Sequence, residues 1–157
     1  HMFPPVRSCG EAVRLSPEEA ARAQYEWHKR RLGEGELKAR AAGLKPGSVR
    51  ECDPECGERL SCRAGSASFW VTWDGKMSPC GMMTEPSVPL DDFGEAWREI
   101  MRRSGEIFLP PECSGCDKRM LCDVCAAVTK AETGEFNGLP DYACRKAAEY
   151  RRLLLGR

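Results

Sequence analysis

The chain has 157 residues, enough for one domain or for a small domain with an appendage. Its 24 basic and 24 acidic side chains balance, and no apolar run approaches the roughly 20 residues of a membrane span, so we predict neither a nucleic-acid partner nor a membrane. Ten cysteines, fifteen glycines and eleven prolines indicate a loop-rich body that something other than a large hydrophobic core holds together.

A helix is predicted near the amino terminus. In Ser16-Pro17-Glu18-Glu19 the serine is a favoured N-cap, proline suits the first turn, and the second glutamate completes a capping box. Residues at helical spacing extend the predicted helix from about residue 17 to residue 32. Gly33 and Gly35 are expected to break it, and a second short helix is expected over residues 36–42.

Residues 1–48 have the composition of an ordinary amphipathic helical region, with Cys9 as their one cysteine. We interpret them as a linking segment at the exit of a larger domain that the chain lacks, and residues 49–157 as a separate cysteine-rich domain. The opening His1-Met2 resembles a cloning scar, so we expect the chain to be a fragment of a longer, cytoplasmic protein.

The cysteine-rich part begins with a predicted β-hairpin. Residues 68–73, with the sequence SFWVTW, are expected to form a strand, Asp74-Gly75 a turn, and residues 76–82 the returning strand. Large aromatic side chains in such a region are usually core residues. We therefore expect chiefly core positions for Phe69, Trp70, Trp73 and Trp97.

Two more helices are predicted farther along the chain. Residues 92–104 have helical periodicity, and the side chains expected to face inward are Phe93, Trp97, Ile100 and Met101. Pro140 opens a C-terminal helix that carries Cys144 in its first turns. The elements together predict a small, loop-rich α+β fold, with an N-terminal helical extension.

Four cysteines lie in CSGCDKRMLCDVC, residues 113–125, with the spacing C-x2-C-x5-C-x2-C, which burial of single cysteines would not require. If Cys9 and Cys52 are free thiols, eight cysteines remain, which is two sets of four. Disulfides would need an oxidising compartment, and C-x2-C pairs rarely join to each other. Tetrahedral zinc and iron–sulfur clusters both take four thiolates and stay as alternatives.

The combined spacing resembles the SPASM domain, the auxiliary-cluster module of radical S-adenosylmethionine enzymes. The family pattern is C-x9-15-G-x4-C, a gap, C-x2-C-x5-C-x3-C, a gap, and C. Over roughly residues 50–150 this chain carries Cys62-x12-Gly75-x4-Cys80, Cys113-x2-Cys116-x5-Cys122, Cys125 and Cys144. The chain departs from the family pattern at one spacing. Two residues separate Cys122 from Cys125, whereas the family usually has three at this place.

The resemblance implies two cysteine-ligated [4Fe–4S] clusters, around which the β-hairpin and the helices would be organised. The ligands of the first would be Cys56, Cys62, Cys80 and Cys125, and those of the second would be Cys113, Cys116, Cys122 and Cys144. Cys52 lies four residues before Cys56 and could replace it as a ligand. The alternative is a structural or interaction module in which the same cysteines form two tetrahedral zinc sites of four thiolates each.

The motif that holds the catalytic cluster of radical S-adenosylmethionine enzymes is C-x3-C-x2-C. Cys52-x3-Cys56 begins in this way, but Arg59 stands at the third position, so we expect no cleavage of S-adenosylmethionine and no catalytic residue in this chain alone. The resemblance implies a parent enzyme that modifies peptides or proteins. The expected partners are the barrel of that parent, its peptide or protein substrate and a redox donor, and the expected role is electron transfer and substrate positioning.

Overall fold

The structure is a computed structural model that describes residues 14–42, 59–60 and 62–156. Within these ranges it is α+β, as predicted. The elements in chain order are α1 (Pro17–Leu32), α2 (Glu34–Ala42), β1 (Trp70–Val71), β2 (Lys76–Ser78), β3 (Val88–Pro89), α3 (Phe93–Ser104), the 3-10 turns Pro111–Cys113 and Arg119–Leu121, α4 (Ala126–Thr133) and α5 (Asp141–Leu154). No helix of the described part is both long enough and apolar enough to cross a membrane.

Helix α1 has the predicted bounds because its first turn is fully capped. The Ser16 side chain accepts from the backbone N–H of Glu19, and the Glu19 carboxylate accepts from that of Ser16. Gly33, at φ 79°, ends the helix. The expectation that Gly35 is also a break is wrong: α2 already begins at Glu34, and a glycine in a first turn is tolerated at about 1 kcal/mol relative to alanine.

The predicted hairpin forms, with shorter strands than expected. β1 pairs antiparallel with β2, and the turn between them contains Gly75 at φ 73°. β2 ends at Ser78 because Pro79, which follows it, has no N–H to continue the ladder. A strand that the sequence did not predict, β3, completes the sheet in the order β1-β2-β3.

One apolar core lies between this sheet and α3, formed by Met77, Val88, Ala96 and Ile100. Trp97 packs against it as expected, but Phe93 and Met101 are 55% and 44% exposed, so their predicted inward orientation is wrong. The expectation of core positions also fails for three aromatic residues of the hairpin, because β1 is an edge strand; the exposed fractions are 40% for Phe69, 56% for Trp70 and 99% for Trp73.

Helices α1 and α5 pack against each other, so the predicted N-terminal segment lies on the C-terminal helix. The contacts include a 2.6 Å hydrogen bond between His28 and Tyr150 and a 2.8 Å ion pair between Glu18 and Arg145. Helix α5 begins at Asp141, directly after Pro140, as predicted. The predicted domain boundary between residues 48 and 49 lies outside the described residues.

Candidate metal sites

Seven of the eight predicted ligands lie in the described part of the chain, and all seven are free thiols. Cys56, its alternative Cys52, and Cys9 lie outside the described residues. The seven thiols fall into two groups. We name the first thiol set Cys62, Cys80 and Cys125, and the second thiol set Cys113, Cys116, Cys122 and Cys144.

The first thiol set joins three separate parts of the chain. Cys80 lies shortly after β2, and Cys125 is the residue before α4. The Cys125 carbonyl accepts a 2.9 Å hydrogen bond from the backbone N–H of Thr129. Burial raises the pKa of the Cys80 thiol, and the neighbouring thiols of Cys125 and Cys62 raise it further. Because two thiols act electrostatically on the third, these residues share one neighbourhood.

Backbone groups also converge on this set. The backbone N–H groups of Met82 and Met83 act on the Cys80 thiol and oppose the rise in its pKa. Such N–H donors stabilise a thiolate and tune a thiolate-bound metal. The arrangement results from the turn after Pro79, in which the Met83 N–H also donates to the Cys80 carbonyl at 3.1 Å.

The second thiol set is built by a run of three-residue turns. Backbone hydrogen bonds link Cys113 to Pro110, Cys116 to Cys113, Arg119 to Cys116 and Cys122 to Arg119, at 2.9, 3.4, 3.0 and 3.3 Å. The C-x2-C-x5-C spacing therefore places the three cysteines and Arg119 at the ends of these turns.

The fourth member, Cys144, comes from the first turns of α5. The Cys122 sulfur lies 4.0 Å from the carbonyl oxygen of Ala143, the residue that precedes Cys144. Burial raises the pKa of Cys113 to about 11, and the thiols of Cys122, Cys144 and Cys116 contribute to the rise. Burial also raises the pKa of Cys144, with Cys116 as the next cause.

The chemistry of both sets fits a metal bound by thiolates. Ionising buried thiols that lie close together is unfavourable without a compensating cation, and a metal supplies that cation while it deprotonates them. Among the described residues, no group of three or more Cys, His, Asp or Glu side chains is arranged around a position for a single ion. The thiols of each set are thus neighbours without forming a preorganised single-ion site.

Sequence reasoning missed the groups that surround the thiols. The backbone N–H of Val124 and the positive charge of Arg119 both oppose the burial-driven rise in the pKa of Cys122. The cysteine positions 113, 116 and 122 all differ by multiples of three, which is the signal that could have predicted the three-residue turns. No protein-family model, curated protein or solved structure matches the chain.

Proposed function

We propose that this chain is an auxiliary-cluster domain that binds two [4Fe–4S] clusters. The observation that carries the proposal is the division of the described thiols into two sets. For the seven described cysteines, it agrees with the ligand division that the resemblance to SPASM domains implies. Cys125 is the informative member, because it is only three residues from Cys122 in sequence and yet interacts with Cys80.

The division also bears on the zinc alternative. A zinc site made of two successive C-x2-C knuckles would join Cys113 and Cys116 to Cys122 and Cys125. The charge interactions instead connect Cys113 with Cys122 and Cys144, and Cys125 with Cys80. Interleaved ligands of this kind, with one cysteine of a tight run serving the neighbouring centre, are known from proteins with two iron–sulfur clusters.

The residues of this chain would hold and tune the clusters. The second thiol set supplies four ligands to one cluster, and the first thiol set supplies three ligands to the other, with Cys56 as the fourth and Cys52 as its alternative. When bound, such clusters supply one-electron transfer. In a parent radical S-adenosylmethionine enzyme the domain would transfer electrons and help to position a peptide or protein substrate.

The proposal is tested by the metal content of the full chain. The protein is purified without oxygen and reconstituted with iron and sulfide, and iron, acid-labile sulfide and zinc are measured per chain together with the visible spectrum. About eight irons and eight sulfides per chain, with a broad brown absorbance, are expected for two four-iron clusters. About two zinc ions that iron does not replace would contradict the proposal and favour two tetrahedral zinc sites.

A further inference from the structure

The outer edge of β1 presents backbone groups that no strand of the described part of the chain pairs. The Thr72 N–H donates to the Lys76 carbonyl at 2.9 Å, so the backbone groups of Thr72 point towards β2. Val71 lies opposite Met77 in the same register. Because backbone groups alternate in direction along a strand, the N–H and C=O of Val71 point away from β2. They lie on the open side of the sheet, whose strand order is β1-β2-β3.

An apolar patch lies beside this edge, on the face of the sheet that packs against α3. Met77 belongs to the core with α3, so the Val71 side chain directly opposite it lies on the same face, where it is 46% exposed. The exposed ring of Phe69 lies 5.4 Å from that of Phe93 and 5.6 Å from that of Trp97, measured between ring centroids. The aromatic rings thus already contact one another before any partner binds.

The edge also lacks the features that usually prevent strand addition. Soluble proteins protect open edges with charged side chains, proline or bulges. Residues 68–73, with the sequence SFWVTW, contain neither a charge nor a proline. Trp70, which alternates with Val71 and so lies on the opposite face, is exposed too. The ion pair of the hairpin, Asp74 with Lys76 at 2.6 Å, lies in and next to the turn and leaves no net charge there.

Carboxylates outnumber cations around the aromatic patch. Asp91, Asp92 and Glu95 all lie within two residues of Phe93, and none of the three forms an ion pair within the described ranges. Arg98 is the cation of this stretch, so residues 91–98 carry three carboxylates and one guanidinium. This excess of negative charge favours a partner that brings a positive charge to the patch.

We propose that the outer edge of β1 binds an extended segment of a partner protein as an added strand, with apolar side chains at alternate positions and Lys or Arg at one end. An added strand would pair with the backbone of Val71 and cover apolar side chains on both faces of the edge. A second copy of this chain is a poorer occupant, because its own carboxylates would approach those around Phe93. The inference rests on the substrate-positioning role proposed above and deepens it, but none of these residues is a candidate metal ligand.

Selection from random heptapeptides displayed on phage, with the reconstituted full chain as the target, tests this. The enriched peptides should alternate apolar and polar residues and carry Lys or Arg at one end. An enriched peptide is then labelled with fluorescein and titrated by fluorescence anisotropy. N-methylation of its alternate amides removes the hydrogen bonds of an added strand, so we expect binding to weaken about tenfold or more.

Variants of the chain test the edge itself. Val71→Pro removes the outward N–H, which the β1–β2 ladder does not use, and should weaken binding about tenfold, whereas the matched control Val71→Thr keeps that N–H and should stay within about twofold. Asp91→Asn and Glu95→Gln should weaken binding and reduce its dependence on salt. Glu26→Gln, an exposed change on α1, is the charge-matched control and should do neither.

Absence of enrichment, or equal binding of the N-methylated peptide to the unaltered chain, would overturn the inference, and the second result is measurable even if Val71→Pro does not fold. A Val71 amide that exchanges slowly with solvent before peptide is added would also overturn it. Sedimentation would then distinguish a second copy from another segment of the same chain as the occupant. Failure of the proposed function is a separate result, seen as zinc in place of iron and sulfide in the same preparation.

Discussion

Nδ1 of His28 lies 2.6 Å from the hydroxyl oxygen of Tyr150, and this hydrogen bond joins α1 to α5. Tyr150 is only 5% exposed, and two aromatic ring contacts extend from it through His28 to Trp27. Helix α5 also carries Cys144. The N-terminal helix is thus connected, through one buried tyrosine, to the helix that carries Cys144 of the second thiol set.

Replacing this tyrosine by phenylalanine should destabilise the protein. Tyr150→Phe removes the hydrogen bond and leaves the His28 nitrogen without that partner, so we expect a loss of about 1 kcal/mol in the free energy of unfolding. Thermal unfolding of the reconstituted chain should show a midpoint lower by about 2–4 °C. Tyr25→Phe, on the same helix as His28, is the control. An unchanged midpoint in Tyr150→Phe would show that the bond does not contribute to stability.

Among the described glycines, Gly65 is the one least able to accept a side chain. It has φ +67°, and a Cβ added there would lie 2.5 Å from the Cβ of Ser104, a buried residue at the end of α3. Gly65→Ala should therefore cost about 2–5 kcal/mol, because the backbone strain of about 1–2 kcal/mol is added to the overpacking of about 1–3 kcal/mol.

Gly75→Ala separates these two contributions. Gly75 has a similar φ of +73°, but nothing lies within 4 Å of the added Cβ. Urea unfolding of both variants should give a loss of only about 1–2 kcal/mol for Gly75→Ala. Equal losses in the two variants would mean that the contact with Ser104 is relieved without cost.

The thiol of Cys113 should be poorly reactive in the folded, metal-free protein. With a pKa of about 11 it is only about 0.1% ionised at pH 8, and the thiolate is the reactive form. Alkylation by iodoacetamide, quantified by peptide mass spectrometry, should therefore be much slower for Cys113 in the folded protein than in urea. Equal rates at pH 8 would contradict the burial of this thiol.

The same shift gives a pH dependence of stability. The folded-state pKa of Cys113 is raised above its ordinary value of 9.0, so the folded protein retains a proton that the unfolded chain releases. The contribution is fully present below pH 9 and is lost as the pH rises towards about 11. The free energy of unfolding of the metal-free protein should fall over this interval, and Cys113→Ala should reduce the fall.

The helices were predictable wherever the local sequence contains both a helix-start signal and residues that recur at helical spacing. Ser16 with Glu19, and Pro140, mark the beginnings of α1 and α5. Helix α4 was missed although Ala126, Ala127 and the left-handed Gly134 after its end are ordinary helix signals.

Burial and long-range grouping were less predictable. The exposure of Trp70 follows from the position of β1 at the edge of a small sheet, which no local pattern encodes. The grouping of Cys125 with Cys80 depends on how a loop and the start of α4 meet, and only the resemblance to a known ligand pattern suggested it.

The independence of the two thiol sets is the central claim, and iron retained by cysteine variants tests it most directly. Iron and sulfide are measured per reconstituted chain for Cys80→Ala, Cys116→Ala, the double variant, and Cys9→Ala as the control. Each single variant should retain about four irons, the double variant almost none, and the control about eight. If Cys80→Ala or Cys116→Ala alone retained all the iron, or alone lost all of it, the two-set account would be contradicted.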